Sequence, residues 1–163
     1  MGTDICIFFE YYDPAKERWF ALTIKGFQVK ILTDEELEDI AGDSPFPRLS
    51  WEDQGLEHDT NRGYPLFGLL AGVRCHDVKP LAEPRGFPKD SAYFKNETMR
   101  KEIENNYAHT HFSLTELMFA DTAYNRENCL YERMANIIQP LIMFCGAEPR
   151  KATDDFRAII SFN

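Results

Sequence analysis

The sequence predicts an α+β fold, a mainly antiparallel sheet packed against helices in one domain over residues 1–163. Three observations lead to it. Runs rich in β-branched and aromatic residues stand at both ends of the chain, Asp4 to Tyr12 and Asp155 to Phe162, and such runs favour strands. Two segments, Thr33 to Glu36 and Ser113 to Glu116, have the spacing of a helix-starting capping box. The chain is also 44% hydrophobic over 163 residues, enough to enclose a core and to exclude a wholly disordered protein.

The elements follow in order. After the first strand, Arg18 to Thr23 and Phe27 to Leu32 flank Gly26 as a hairpin. Thr33 caps a short helix expected to run to about Ala41, where Gly42 stops it. Residues 43–63 are rich in Pro, Asp, Gly and Ser around Trp51 and read as a long loop or lid. Pro65 suits a first helical turn, and Leu66, Leu69, Leu70 and Val73 recur at helical spacing behind it. Pro80, Pro84 and Pro88 make His76 to Lys95 irregular. The residues from His109 to Phe112 lead straight into the Ser113 cap, a longer helix is expected from Asn125 to Cys145, and Asp155 to Phe162 closes the sheet. Core candidates are Trp19, Ile24, Phe27, Leu70, Leu141 and Ile159.

Charge narrows the function classes. The 18 Lys and Arg against 27 Asp and Glu leave a net −9, which argues against a broad nucleic-acid surface because duplex affinity comes from neutralising phosphates. Cys6, Cys75, Cys129 and Cys145 are scattered without a CxxC pair, so zinc-ribbon and thioredoxin-type motifs are not expected and free thiols are. The start MGTDICIFFEYYD has no basic, long-apolar leader, and no apolar run reaches the roughly 20 residues that span a bilayer. A cytoplasmic location is therefore expected, and in that setting the Asn96-Glu97-Thr98 sequon has no glycosylation role. Spacings of P-loop, Rossmann and serine-hydrolase type are missing.

Three groups of residues could carry chemistry. Alternation along the first strand puts Asp4, Cys6, Phe8 and Glu10 on one face, with Cβ atoms about 7 Å apart. The other face, Ile5, Ile7, Phe9 and Tyr11, is core. Two carboxylates and a thiol in a row could meet one ligand or ion, although Asp4 as a cap, Cys6 as a small apolar residue and Glu10 in solvent are the plainer alternative. His109 and His111 share a side of an extended segment just before a helix start, where they could ligate a metal, exchange protons or hold an anion. His58 and His76 lie in polar loops and receive no role. Arg62 with Tyr64, and Arg85 with Phe87, lie beside Gly63 and Gly86, so a guanidinium fork could meet a phosphate or carboxylate while the ring stacks on a base. Pairing of these arginines with neighbouring carboxylates is equally compatible with the sequence.

Taken in order, MGTDICIFFE, RGYPLFGLLAGVR, PRGFPKD, HTHFSLTEL and DDFRAIISFN resemble the segments of a family of small bacteriophage and prophage proteins with an N-terminal Met-Gly-Cys-Asp-Ile-His pattern. Thr3 and Cys6 stand where that pattern has Cys and His, and the missing imidazole weakens a shared acid/base role there. The resemblance implies a phage-type accessory protein in a host bacterial cytoplasm, with a pocket drawing on Asp4, Glu10, Arg62, Tyr64, Arg85 and His109. The resulting expectation is a protein that binds a phosphorylated or nucleotide-like small molecule, for example to sequester a host defence signal. Arg62, Tyr64, Arg85 and Phe87 are the ligand residues. Asp4, Cys6, His109 and His111 are the candidate ligands of a divalent metal ion. If it is an enzyme, it is a metal-assisted hydrolase or phosphodiesterase, with Glu10, His109 and His111 as catalytic groups. Pockets of this kind can lie between subunits, so a homo-oligomer is compatible. The alternative is an acidic inhibitor or nucleic-acid mimic that docks on a host protein through Thr33 to Asp39 and Asp53 to Asp59.

Overall fold

The computed structural model describes residues 5–25, 28–43, 64–119, 142–144 and 153–162. They build a five-stranded antiparallel sheet with helices on both faces, an α+β architecture. The expected loop at 43–63 begins with the last residue of a helix and otherwise lies outside the described residues, as does the expected helix from Asn125 to Cys145 except for a helical 142–144.

Strands β1 (Ile5–Asp13), β2 (Arg18–Lys25) and β3 (Gln28–Ile31) form the predicted antiparallel meander. Strand β4 (Tyr107–Ser113) follows much later, and β5 (Phe156–Phe162) lies between β1 and β4, giving the order β3-β2-β1-β5-β4. In this position β1 and β5 have partners along both edges, and β5 is buried throughout its length.

Helix α1 (Asp34–Asp43) starts on the predicted capping box, with the Glu36 N–H donating to Thr33 Oγ1 at 3.2 Å and the Thr33 N–H donating to Glu36 Oε2 at 2.9 Å. It continues through Gly42 rather than stopping there. Helix α2 (Tyr64–Ala71) ends before Val73 because Gly72 turns left-handed at φ +68°, and its N–H donates to the Gly68 carbonyl at 2.8 Å.

Helix α3 (Glu97–Asn105) was not signalled by the sequence reading. Asn96 caps it by accepting from the Met99 N–H at 3.1 Å, so the sequon asparagine is a helix-starting residue. The predicted box at Ser113 is present, with reciprocal Ser113 and Glu116 bonds of 2.8 and 3.1 Å opening a helical stretch over 114–119.

The core has two parts, one on each face of the sheet. Ile7, Phe9, Leu22, Phe112, Phe156 and Phe162 pack against α2 and the 114–119 helix through Leu69, Leu70, Leu114 and Leu117. On the opposite face, Phe8, Ala21 and Ile159 meet Leu37 of α1, Tyr93 of a 3₁₀ turn (Ala92–Lys95) and Met99 and Ile103 of α3. The expectation of one core face and one polar face on β1 is thus corrected: both faces are covered because helices pack on either side of the sheet. Of the core candidates, Leu70 and Ile159 are fully buried and Trp19 is half-buried. The side chains of Ile24, Phe27 and Leu141 lie outside the described residues. Among the described residues no helix is long and apolar enough to cross a membrane.

Candidate functional site

One polar cluster lies on the sheet face that carries Phe8 and Ile159 and a second lies at the β4 edge, where His111 is on that face and the Arg85 guanidinium is against Phe112 of the other. The first is centred on Glu10, which is 0% exposed rather than solvated. The register sets Glu10 directly opposite Arg157 on β5, and Arg157 Nε donates to Glu10 Oε2 at 2.6 Å. The other carboxylate oxygen accepts from the Ser91 hydroxyl at 2.6 Å and the Ala92 N–H at 2.7 Å. Arg157 Nη2 also donates to Asp90 at 3.0 Å, while Asp90 accepts from Trp19 Nε1 at 3.0 Å. The guanidinium carbon lies 3.8 Å from the centre of the Trp19 ring.

Burial pushes the Glu10 carboxyl above its ordinary value, against the pull of Arg157, Ser91 and Ala92. Each of these neighbours donates to it, so Glu10 is an acceptor tied to the strap over residues 88–92. A general base must reach a substrate proton. Among the described residues the contacts of Glu10 are internal and its surface is closed, which fits a positioning group better than the expected base. Sequence reading missed Arg157, Asp90 and Ser91. A signal existed: a lone Glu in FFEYY and a lone Arg in FRAII are opposite charges inside apolar strands, and such charges are buried in pairs.

The second cluster joins residues that the sequence picked out separately. Gly86, at φ +80°, donates its N–H to the His109 carbonyl at 2.9 Å, and its own carbonyl lies 3.2 Å from His111 Nδ1. Strand β4 bulges here, with Ala108 at φ +51° and the register shifting between Tyr107 and Thr110. Phe87 packs edge-on to His109 with ring centres 5.8 Å apart, and it also meets Phe8 and Phe94. It is thus part of an aromatic cluster rather than a free stacking platform.

Arg85 lies beside the same strand. Its Nη1 donates to the His111 carbonyl at 3.1 Å, and Nη1 and Nη2 together grip Glu116 at 2.9 and 2.6 Å. The guanidinium carbon is 5.2 Å from the Phe112 ring centre. Glu116 in turn accepts from the Ser113 N–H, so the capping carboxylate of one helix also orients an arginine some thirty residues away in sequence. The Arg85 hydrogen bond holds the Glu116 carboxyl below its ordinary value, partly offset by burial. Burial lowers the His109 pKa, with a hydrogen bond to the Asn106 backbone working the other way, and its Nδ1 is buried without a partner among the described residues.

The predicted site residues therefore divide. Arg85, Phe87, His109 and His111 come together at the β4 edge. Glu10 belongs to the neighbouring cluster. Asp4 and Arg62 lie outside the described residues; Tyr64 starts α2 and Cys6 pairs with Ser161 in the sheet, the side chains of Tyr64 and Cys6 not being described. Among the described residues no three His, Cys, Asp or Glu side chains are grouped to hold a metal ion; of the four expected ligands, Asp4 and the Cys6 side chain lie outside the described residues. Cys75 is a free thiol, as expected for that residue. Comparison with family models, curated proteins and solved structures finds no match for this chain.

Proposed function

We propose that this protein binds a phosphorylated or nucleotide-like small molecule at the β4 edge, where the Arg85 segment meets the strand of His109 and His111. One observation carries the reading. Segments about 25 residues apart are joined by three hydrogen bonds, the Gly86 N–H to the His109 carbonyl, His111 Nδ1 with the Gly86 carbonyl and Arg85 Nη1 to the His111 carbonyl, so the Arg85 segment is held against the strand that carries both histidines. Sequestration of a host signalling nucleotide by a phage-type accessory protein is the biological role that the sequence resemblance adds. Binding is favoured over base catalysis by Glu10 because that carboxylate is enclosed and engaged by Arg157, Ser91 and Ala92.

The test is to purify the native protein, denature it and identify released small molecules by mass spectrometry. An anionic, nucleotide-like species in near-stoichiometric amount, lost in Arg85→Ala, is the expected result. Its absence from wild-type material, with no binding of added nucleotides, defeats the proposal.

A second reading rests on α1. Asp34 and Glu36 are paired with Arg18 and Lys30, whereas Glu35, Glu38 and Asp39 are exposed and have no ion-pair partner among the described residues. That face suits an acidic module docking on a basic partner. Neutralising these three residues abolishes the function of a docking module and leaves that of a small-molecule binder intact. The Asp53 to Asp59 run of that reading lies outside the described residues.

A further inference from the structure

The sheet has two edges, and they are finished differently. At β4 the outward carbonyls of His109 and His111 accept from the Gly86 N–H and from Arg85 Nη1, so the Arg85-Gly86 segment covers that edge. Strand β3 is the other edge. Its register sets Lys30 opposite Thr23 and Gln28 opposite Lys25, and the Leu32 N–H donates to the Ala21 carbonyl at 2.9 Å. Bonded and non-bonded pairs alternate along an antiparallel ladder. Leu32, Lys30 and Gln28 therefore turn their N–H and C=O toward β2, while Val29 and Ile31 turn theirs outward. Among the described residues these four outward groups have no partner.

An open edge is commonly guarded by a free lysine. Here the lysine is engaged, since Lys30 is paired with Glu36 of α1. Alternation puts Val29 and Ile31 on the other face of the strand, where Val29 packs against the core and Ile31 is 36% exposed. A strand laid along β3 with apolar residues opposite these two continues that apolar face and covers Ile31. The residue between them lies opposite Lys30, where a small neutral side chain fits. Charge then selects the partner. A second copy brings another −9, and two-fold pairing through all four outward groups sets Lys30 opposite its own counterpart, a like-charge pair. A segment with basic residues beside its apolar pair is instead attracted.

We infer that the β3 edge receives an extended segment of a partner protein by strand addition, bonded to the main chain of Val29 and Ile31. The segment has two alternate apolar residues, a small neutral residue between them and basic flanks. The surface lies at the opposite side of the sheet from Arg85, and main-chain groups carry it, so it goes beyond both readings above.

The probe is a cyclic β-hairpin peptide whose outer strand reads Lys-Val-Ser-Val-Lys, titrated into the full chain and followed by amide NMR and hydrogen exchange. The Val29 and Ile31 amides gain protection on binding, whereas those of Gln28 and Lys30, already bonded to β2, gain none. N-methylation of the two valines abolishes binding, and replacing the flanking lysines by glutamates weakens it about tenfold at low salt. Ile31→Pro removes one outward donor without touching the ladder, a place where an edge strand tolerates proline. This variant unfolds in urea like wild type and binds about tenfold or more weakly, whereas Ile31→Thr, which keeps the N–H, retains binding.

Slow exchange of both amides in the free protein at every concentration shows an edge already covered and overturns the inference. Protection that grows with protein concentration alone assigns the edge to a second copy and overturns the choice of partner. Binding that survives N-methylation is charge attraction only, and it overturns strand addition even where Ile31→Pro fails to fold. Binding unchanged in a folded Ile31→Pro, or no protection at millimolar peptide, overturns it as well. The small-molecule reading is decided separately, by the co-purification experiment.

Discussion

Glu10 is the residue with the most at stake. Its carboxylate accepts three donors while fully excluded from water, and removing one partner of such a pair leaves the other charge uncompensated. Glu10→Ala is expected to cost about 3–5 kcal/mol of stability, read from the urea midpoint, whereas Ser91→Ala loses one hydroxyl and costs about 1–2 kcal/mol. A Glu10→Ala variant that unfolds like wild type would contradict the ion pair as described. These side chains were visible in the sequence as isolated charges in apolar strands. Their pairing was not, because it depends on β5 taking the slot beside β1, a long-range choice that local pattern does not encode.

His109 supplies a pH dependence at the same scale. Burial lowers its folded pKa below the ordinary 6.5. Below that value the unfolded chain takes up a proton that the fold resists, so stability falls as pH drops through the window beneath 6.5. Glu116 acts lower down: its depressed pKa gives stability that is present above 4.5 and lost as pH falls through the folded value. Glu10 runs oppositely, since its raised value means the fold gains protons above 4.5 and loses that advantage as pH rises. Melting temperatures of His109→Gln against wild type are expected to converge toward acid, the variant lacking the decline that begins near pH 6.5.

At the scale of elements, the capping boxes and the early strands were legible because their signals are local: a hydroxyl and a carboxylate three residues apart, or alternating apolar residues. Helix α3 was hidden because only Met99 and Ile103 mark its buried face and Asn96 had a competing reading as a glycosylation site. Helix α2 shows a constraint of another kind. An added Cβ at Gly68 would lie 2.5 Å from the Cys75 carbonyl oxygen and 2.9 Å from the Cys75 Cβ, so the returning chain packs directly on the helix backbone. Although alanine raises helix propensity, Gly68→Ala is expected to destabilise by about 1–3 kcal/mol through overpacking. Chemical denaturation checks the sign, and a stabilised variant would show that this segment yields.

For the whole molecule, the net charge of −9 hides an uneven distribution. Arg85 and Arg157 are each matched by carboxylates, whereas part of α1 carries acid without partners among the described residues. Composition alone argued against a broad polyanion surface. It could not show that Arg85 and Arg157 are already oriented by Glu116 and Glu10, since that follows from contacts between segments distant in sequence.

The strand order has a consequence for how the chain becomes this molecule. The meander β1-β2-β3 needs only neighbours and can form early, but β1 stays half-paired until β5 arrives from 147 residues away at Glu10 and Arg157. Closing so long a loop is slow. During that interval the apolar flank of β1 is an open edge, exposed to pairing with another chain. The Glu10 carboxylate on that flank discourages such pairing, because a stray strand without an arginine at the matching position would strand it unpaired. The ion pair that closes the finished sheet therefore also selects the strand allowed to complete it.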